Sequence, residues 1–155
     1  MTEGFQILTL ISIWLSILFS LITLWGGVLF WLKHSKEIAK ITPLEYYPTV
    51  SIVVPAHNEE AVIQKTSKAI LNLNYPEDKV EILIFADNCT DRTAELAEAI
   101  GNRTEYQNRQ FKVIRRTGEG GKSGVLNDAL KMIHGDYLCV YDADAMPEEN
   151  ALYFL

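Results

Sequence analysis

Two aspartates one residue apart, Asp142 and Asp144, are the residues of this sequence best placed to do chemistry. They follow an apolar run, residues 137–141, that predicts a strand of a parallel sheet covered on both faces. Carboxylates do not belong inside such a strand, so both should emerge at its carboxyl end, where open α/β sheets bind their ligands. As residues i and i+2 of an extended segment, they can hold one Mg²⁺ or Mn²⁺ against a bound phosphate.

The same pair also has a purely structural interpretation. Pro147 suits the first position of a helix, and Glu148 and Glu149 would favour the positive end of its dipole. The aspartates would then only open a turn and cap that helix. The pair alone does not decide between the two interpretations, so the rest of the chain has to.

Three further polar clusters also follow predicted strands. The strands are residues 49–54, 80–86 and 111–114. The clusters are residues 55–60, 87–91 and 118–122. Helical segments follow at about 57–73, 92–100 and 123–133, the second closed by Gly101 as a left-handed cap. Alternating strands and helices predict a three-layer α/β domain of Rossmann-like topology, with all the clusters along one edge of its parallel sheet.

The clusters have the chemistry of a nucleotide diphosphate site. Lys122 in a glycine-rich segment suits a phosphate, and acids after the first two strands, among them Glu59 and Asp87, can accept from ribose hydroxyls and a base N–H. A P-loop is excluded because the glycine it needs five residues before Gly121 is Arg116. The glycine pattern of dinucleotide-binding folds is also missing after the first strand.

Other polar residues receive structural interpretations. Asp91 is expected to close a turn or cap a helix, and Asp128 to be solvated on a helix. His57 is interpreted as a loop residue rather than a metal ligand. Cys139 is expected in the core and Cys89 as a free thiol, because two cysteines are too few for a disulfide framework.

The amino-terminal segment predicts a membrane anchor. Residues 5–32 are uncharged and predominantly apolar, which is long enough to span a bilayer as a helix, and lack the features of a cleaved signal peptide. We divide the chain into an anchor at 1–34, a juxtamembrane linker at 35–48 and a domain at 49–155. Lys33, Lys36 and Lys40 follow the anchor, which predicts a single-pass cell-membrane protein whose domain is cytoplasmic. The net charge of −6 and the lack of a basic stripe argue against nucleic acid as a partner.

Four segments in this order resemble family 2 glycosyltransferases of GT-A fold, especially the membrane-bound bacterial polysaccharide synthases. They are SIVVPAHNEE at 51–60, DNCTDRT at 87–93, GGKSGVLNDAL at 120–130 and YDADAMP at 141–147. The resemblance covers about residues 49–155. It implies an inverting transfer of sugar from a UDP-sugar to a carbohydrate acceptor, assisted by Mg²⁺ or Mn²⁺.

The resemblance also implies roles for single residues. Pro55, Ala56 and Glu59 match positions that hold the uridine, and Asp87 matches the aspartate that reads the uracil ring. Lys122 matches the basic residue near the pyrophosphate. Asp142 and Asp144 match the DxD pair, with the first nearer the ribose and sugar and the second on the metal.

The sequence departs from the family after the DxD pair. The acidic motif that carries the catalytic base and the Gln-x-x-Arg-Trp motif of processive members are not found before Leu155. The chain therefore resembles the donor-binding half of the enzyme, with the base expected beyond Leu155 and no activity expected from this chain alone. The alternative is a non-catalytic nucleotide-sugar binding module or a truncated gene product.

Overall fold

The computed structural model describes residues 2–34 and 44–154, so residues 35–43 of the predicted linker at 35–48 lie outside these ranges. The chain divides into two units, Met1–Pro43 and Leu44–Leu155. The part of the first unit that the structure describes is helix α1, Thr2–His34. Mean hydropathy reaches 2.4 within Glu3–Lys33, so α1 is by length and composition able to cross a membrane.

The serine hydroxyl groups of α1 are satisfied within the helix. Ser12 Oγ donates to the carbonyl of Leu8 at 3.0 Å, and Ser16 and Ser20 do the same one and two turns later. Such bonds to the carbonyl four residues back satisfy a donor that a hydrocarbon environment would otherwise leave unpaired. The serines in this segment are therefore compatible with a spanning helix.

The second unit contains a four-stranded sheet and three α-helices. The strands are β1 (Val50–Ala56), β2 (Val80–Asp87), β3 (Gln110–Arg116) and β4 (Tyr137–Val140). The helices are α2 (Ile63–Leu71), α3 (Thr93–Gly101) and α4 (Gly121–Ala129). The strand order is β3-β2-β1-β4, and every neighbouring pair is parallel. The predicted parallel α/β architecture is confirmed.

Alternate residues of the central strands pack against helices on opposite faces of the sheet. Ile52 and Ile82 belong to a core that includes residues of α2 and α3, such as Ile70 and Ala97. On the other face, Val53, Leu83 and Phe85 pack against Val125 and Ala129 of α4. This alternation follows from the two-residue repeat of a strand and produces the predicted three layers.

Several helix boundaries differ from the prediction; among them, α4 ends at Ala129 rather than near Ile133. Helix α2 begins at Ile63 rather than near His57, because Asn58 has a left-handed φ of 54° that no α-helix accommodates. Gly101 is the last helical residue of α3 and not a left-handed cap. A Cβ there would lie 2.2 Å from Cδ1 of Phe111, so packing requires the glycine. Helix α4 begins at Gly121, which places Lys122 in its first turn instead of in a loop.

The prediction for β4 was partly wrong. Cys139 is buried as expected, but Tyr137 is 53% exposed and Leu138 and Val140 are each 39% exposed. The reason is that β4 lies at the edge of the sheet and pairs only with β1 among the described residues. Downstream, no helix begins at Pro147, and the only regular structure described there is a 3-10 turn at Ala151–Phe154.

Candidate functional site

One cleft of about 600 Å³ lies at the carboxyl edge of the sheet. It is lined by every predicted site residue: Pro55, Ala56, Glu59, Asp87, Lys122, Asp142 and Asp144. His57, Asn88, Gly121, Val125 and Ala143 complete the lining. Because β1, β2 and β4 are parallel, their following loops meet at this edge although they are up to 87 residues apart in sequence.

The aspartate pair is held by the alanine between them. Ala143 is buried, and its carbonyl accepts a hydrogen bond of 2.5 Å from Oγ1 of Thr66, itself a buried residue of α2. The amide of Ala145 donates to the carbonyl of Asp142 at 2.9 Å and closes a turn. The two aspartates flank the buried Ala143 and are themselves exposed. Since no helix begins at Pro147, the helix-capping interpretation of the pair is wrong.

Lys122 forms an ion pair with Asp142. Both side chains are more than half exposed, at 53% and 63%, so the pair is weak and free to exchange partners. The lysine thus occupies a carboxylate that a divalent cation would also use. A diphosphate entering the cleft would offer Lys122 a second anionic partner.

The donor set suits a hard divalent cation that also binds phosphate. No group of three His, Cys, Asp or Glu residues that could hold a metal occurs among the residues described. The aspartate pair would therefore supply only part of a coordination sphere. Mg²⁺ in particular is commonly bound by one or two carboxylates together with water and substrate phosphates, so the residues present fit Mg²⁺ and its substitute Mn²⁺.

Asp87 is the last residue of β2, which β1 separates from β4. It is buried and paired with an arginine that the sequence analysis did not assign to the site. Nη1 of Arg116 lies 2.6 Å from Oδ1 of Asp87. The sheet register explains the contact, because the last residues of β2 and β3, Asp87 and Arg116, are direct neighbours. The hydrogen bonds to Asp128 and then to Asp87 raise the pKa of Arg116 above its ordinary value.

Asp128 lies on α4 with a side chain 42% exposed, as predicted for a solvated helix residue, but it also forms two contacts that the sequence analysis did not predict. Its Oδ2 accepts a hydrogen bond of 2.8 Å from Nε of Arg116, and its Oδ1 accepts one of 3.0 Å from Nζ of Lys131. These bonds, the one from Arg116 foremost, lower the pKa of Asp128. Neither residue type nor spacing indicated this contact, because it joins a strand end to a helix face.

Asp91 closes a turn, as predicted. Its Oδ1 accepts from the amide of Thr93 at 3.0 Å and from the hydroxyl of Thr93 at 2.6 Å, while Oδ2 accepts from the amide of Glu60 at 3.1 Å. The hydroxyl of Thr93 in turn accepts from the amide of Glu59 at 2.8 Å. The loops after β1 and β2 are therefore fastened to each other, and Asp91 is not a free base.

His57 is a loop residue, as predicted, but it lines the cleft and links its two nearest loops. Its Nδ1 lies 2.7 Å from the carbonyl oxygen of Asp87. A carbonyl can only accept, so Nδ1 is the donor in this hydrogen bond. The histidine therefore helps to set the backbone on which Asp87 is carried.

Known proteins share both the sequence and the fold. Over 149 residues the chain is 36% identical to the probable glycosyltransferase YdaM of Bacillus subtilis, covering 96% of this chain and 35% of that protein. It is 37% identical over 163 residues to a beta-monoglucosyldiacylglycerol synthase of Synechocystis sp., covering 92% of this chain and 33% of that protein. The chain thus spans about a third of the length of these curated relatives.

A solved mannosyltransferase of Pyrobaculum calidifontis, in complex with GDP-Man and Mn²⁺, superposes with a TM-score of 0.65 at 26% identity, covering 81% of this chain and 37% of that one. S. aureus TarS in complex with UDP superposes with a TM-score of 0.60 at 26% identity, covering 67% and 30%. The family model described as glycosyl transferase family 2 matches residues 51–155. The chain therefore belongs to glycosyltransferase family 2 and has the GT-A fold.

Proposed function

We propose that this chain is the donor-binding part of a membrane-anchored glycosyltransferase that takes its sugar from a UDP-sugar with the help of Mg²⁺ or Mn²⁺. The observation that carries the proposal is the layout of the cleft. The buried carboxylate Asp87 ends β2, whereas the pair Asp142 and Asp144 follows β4, and β1 lies between these two strands. Lys122 pairs with Asp142. We call the part of the cleft near Asp87 the base end and the part near the aspartate pair the diphosphate end. The cleft volume is within the usual range for small-molecule sites, about 300–1,000 Å³.

The base end of the cleft suits uracil. Asp87 is held by Arg116 as an acceptor, and uracil offers one N–H donor on the edge that faces away from the ribose. Arg116 and Asn88 both donate to Oδ1 of Asp87, so we assign Oδ2 as the acceptor of that N–H, a hydrogen bond to a charged group. Pro55, Ala56 and Glu59 line the adjoining wall and are the residues we assign to the uridine.

The diphosphate end suits two negative charges. Lys122 exchanges Asp142 for a phosphate oxygen, which leaves Asp142 free to approach the ribose and sugar, and Asp144 holds the cation. When bound there, the cation would supply Lewis-acid stabilisation of the charge that develops on the departing UDP. Relatives crystallised with Mn²⁺ and a nucleotide or nucleotide-sugar support this assignment.

Acceptor activation has no residue assigned within the cleft. Its carboxylates, Glu59, Asp87, Asp142 and Asp144, all serve the nucleotide or the cation in this proposal. Removing the proton of the attacking hydroxyl contributes about 10²- to 10⁴-fold to catalysis. We therefore expect this chain on its own to bind UDP without measurable sugar transfer.

The membrane part of the proposal rests on α1 and on the basic residues that follow it. Cellulose synthase and poly-beta-1,6-N-acetyl-D-glucosamine synthase are among the relatives, at 30% and 29% identity. With Lys33, Lys36 and Lys40 on the inner side, the α/β unit lies in the cytoplasm and meets cytoplasmic nucleotide-sugars. The partners proposed are thus the donor, a carbohydrate acceptor and the membrane.

The test is calorimetric titration of the detergent-solubilised chain with UDP and with GDP, with Mn²⁺ or with EDTA. We expect UDP to bind better than GDP and Mn²⁺ to strengthen its binding at least about tenfold, a gain lost in Asp144→Asn. Asp78→Asn, which removes an exposed acid preceding β2, is the matched control and should bind as the unmodified chain does. Preference for GDP would contradict the uridine assignment. Metal-independent binding unchanged in Asp144→Asn would contradict the cation assignment.

A further inference from the structure

Arg116 joins three parts of the second unit through one guanidinium group that is mostly shielded from solvent. The side chain is 13% exposed. Its Nη1 donates to Asp87 at 2.6 Å, its Nε to Asp128 at 2.8 Å and its Nη2 to the carbonyl of Glu119 at 2.9 Å. A planar guanidinium with all three nitrogens engaged has one orientation only, so its partners are fixed relative to one another.

The glycine-rich segment is shaped to accept this guanidinium. A Cβ on Gly124 would lie 2.7 Å from Nη2 of Arg116 and 2.3 Å from the carbonyl oxygen of Glu119. A Cβ on Gly118 would lie 3.0 Å from Cζ of Arg116. These two glycines therefore make room for the arginine, whereas the sequence had suggested that the segment exists to cradle a phosphate.

Asp128 is the partner of Arg116 that does not itself line the cleft. It lies on α4, the helix whose first turn carries Lys122 at the cleft. Without Asp128, Nε of Arg116 would lose its acceptor, and the guanidinium could rotate away from Asp87 and from Glu119. The contact thus connects the base end of the cleft to the helix that supplies its phosphate end.

We propose that Asp128 is a positioning residue that sets the affinity for the donor nucleotide without touching it. It orients Arg116, and Arg116 orients the carboxylate of Asp87 toward the base. The inference rests on the proposed function, since it takes a uridine nucleotide as the ligand. It adds to that function a residue outside the cleft on which recognition of the base depends.

The experiment compares UDP with N3-methyl-UDP, which lacks the N–H that Asp87 would accept. In the unmodified chain with Mn²⁺, methylation should weaken binding by about tenfold or more, as expected for a lost hydrogen bond to a charged group. In Asp128→Ala, UDP binding should weaken about three- to tenfold and the discrimination against N3-methyl-UDP should shrink by a similar factor. Asp128→Asn retains an acceptor oxygen, so its UDP affinity and its discrimination should lie between those of the unmodified chain and those of Asp128→Ala.

Lys131→Met is the matched control, because it removes the other partner of Asp128 and leaves the contact with Arg116 in place. It should keep both the UDP affinity and the discrimination of the unmodified chain. Melting temperatures of all variants separate this effect from a general loss of stability. If Asp128→Ala does not fold, Asp128→Asn supplies the comparison.

The positioning role would be overturned if Asp128→Ala discriminated between the two nucleotides as well as Lys131→Met does, even if it bound UDP more weakly. Where Asp128→Ala does not fold, the same criterion applies to Asp128→Asn. Failure of the unmodified chain to bind UDP would overturn the proposed function and this inference with it. UDP binding without discrimination against N3-methyl-UDP would leave a UDP site standing but would remove Asp87, and therefore Asp128, from recognition of the base.

Discussion

The hydrogen bond between Thr66 and Ala143 offers the sharpest test of how the aspartate pair is held. Thr66→Val keeps the shape of the side chain and removes the hydroxyl, so no cavity is created. The carbonyl of Ala143, next to a buried side chain, then loses the donor that lies 2.5 Å away. Leaving a buried acceptor unsatisfied costs about 1–3 kcal/mol of the free energy of unfolding.

For a unit the size of 44–155, that cost corresponds to a fall in melting temperature of about 4 °C per kcal/mol, or about 4–12 °C in total. Part of the cost of the unsatisfied carbonyl can be relieved if the turn that carries Asp142 and Asp144 shifts. We therefore also expect Mn²⁺-dependent UDP affinity to fall about threefold or more, although Thr66 does not line the cleft.

Ser67 provides the control on the same helix. It is fully buried, and its hydroxyl has no hydrogen-bond partner among the described residues. Ser67→Ala removes a desolvated polar group that gains nothing from the fold, so its melting temperature should stay equal or rise. Both variants would be followed by thermal unfolding in detergent and by calorimetry with UDP and Mn²⁺. A Thr66→Val chain as stable as the unmodified one, or a Ser67→Ala chain less stable than Thr66→Val, would refute the reasoning.

Three further predictions concern the ion pair of Lys122, the pKa of Asp136 and the membrane topology. Lys122→Met frees Asp142, so Mn²⁺ affinity without nucleotide should rise by at most about fivefold while UDP affinity falls, both measured by calorimetry; unchanged values would contradict the shared carboxylate. The hydrogen bonds from Thr49 lower the pKa of Asp136 in the folded state. The ionised Asp136 therefore stabilises the fold fully above the ordinary aspartate pKa, and this contribution is lost as the pH falls through the lowered pKa of the folded state. Melting temperatures between pH 7 and 3 should therefore fall less steeply in Asp136→Asn than in the unmodified chain, and parallel curves would contradict this. A reporter fused after Lys40 should be cytoplasmic in intact cells, and its cleavage by external protease would overturn the topology.

Much of the architecture was predictable from local pattern. Apolar runs such as residues 80–86 predict buried strands, because each residue of a central strand faces a helix layer on one side of the sheet or the other. Helix boundaries were less predictable, since they depend on single residues such as Asn58 in a left-handed conformation. The role of Gly101 depended on Phe111, a residue of another element that periodicity does not reveal.

The sequence by itself determined that the predicted site residues meet in one cleft, because clusters that follow parallel strands must meet at the carboxyl edge of the sheet. It did not determine how they are paired. Arg116 with Asp87 and Asp128, Lys122 with Asp142, and Thr66 with Ala143 are contacts between different elements. They depend on strand register and on the rotation of each helix about its axis, to within about one hydrogen-bond length, and only the packing of the assembled layers decides these.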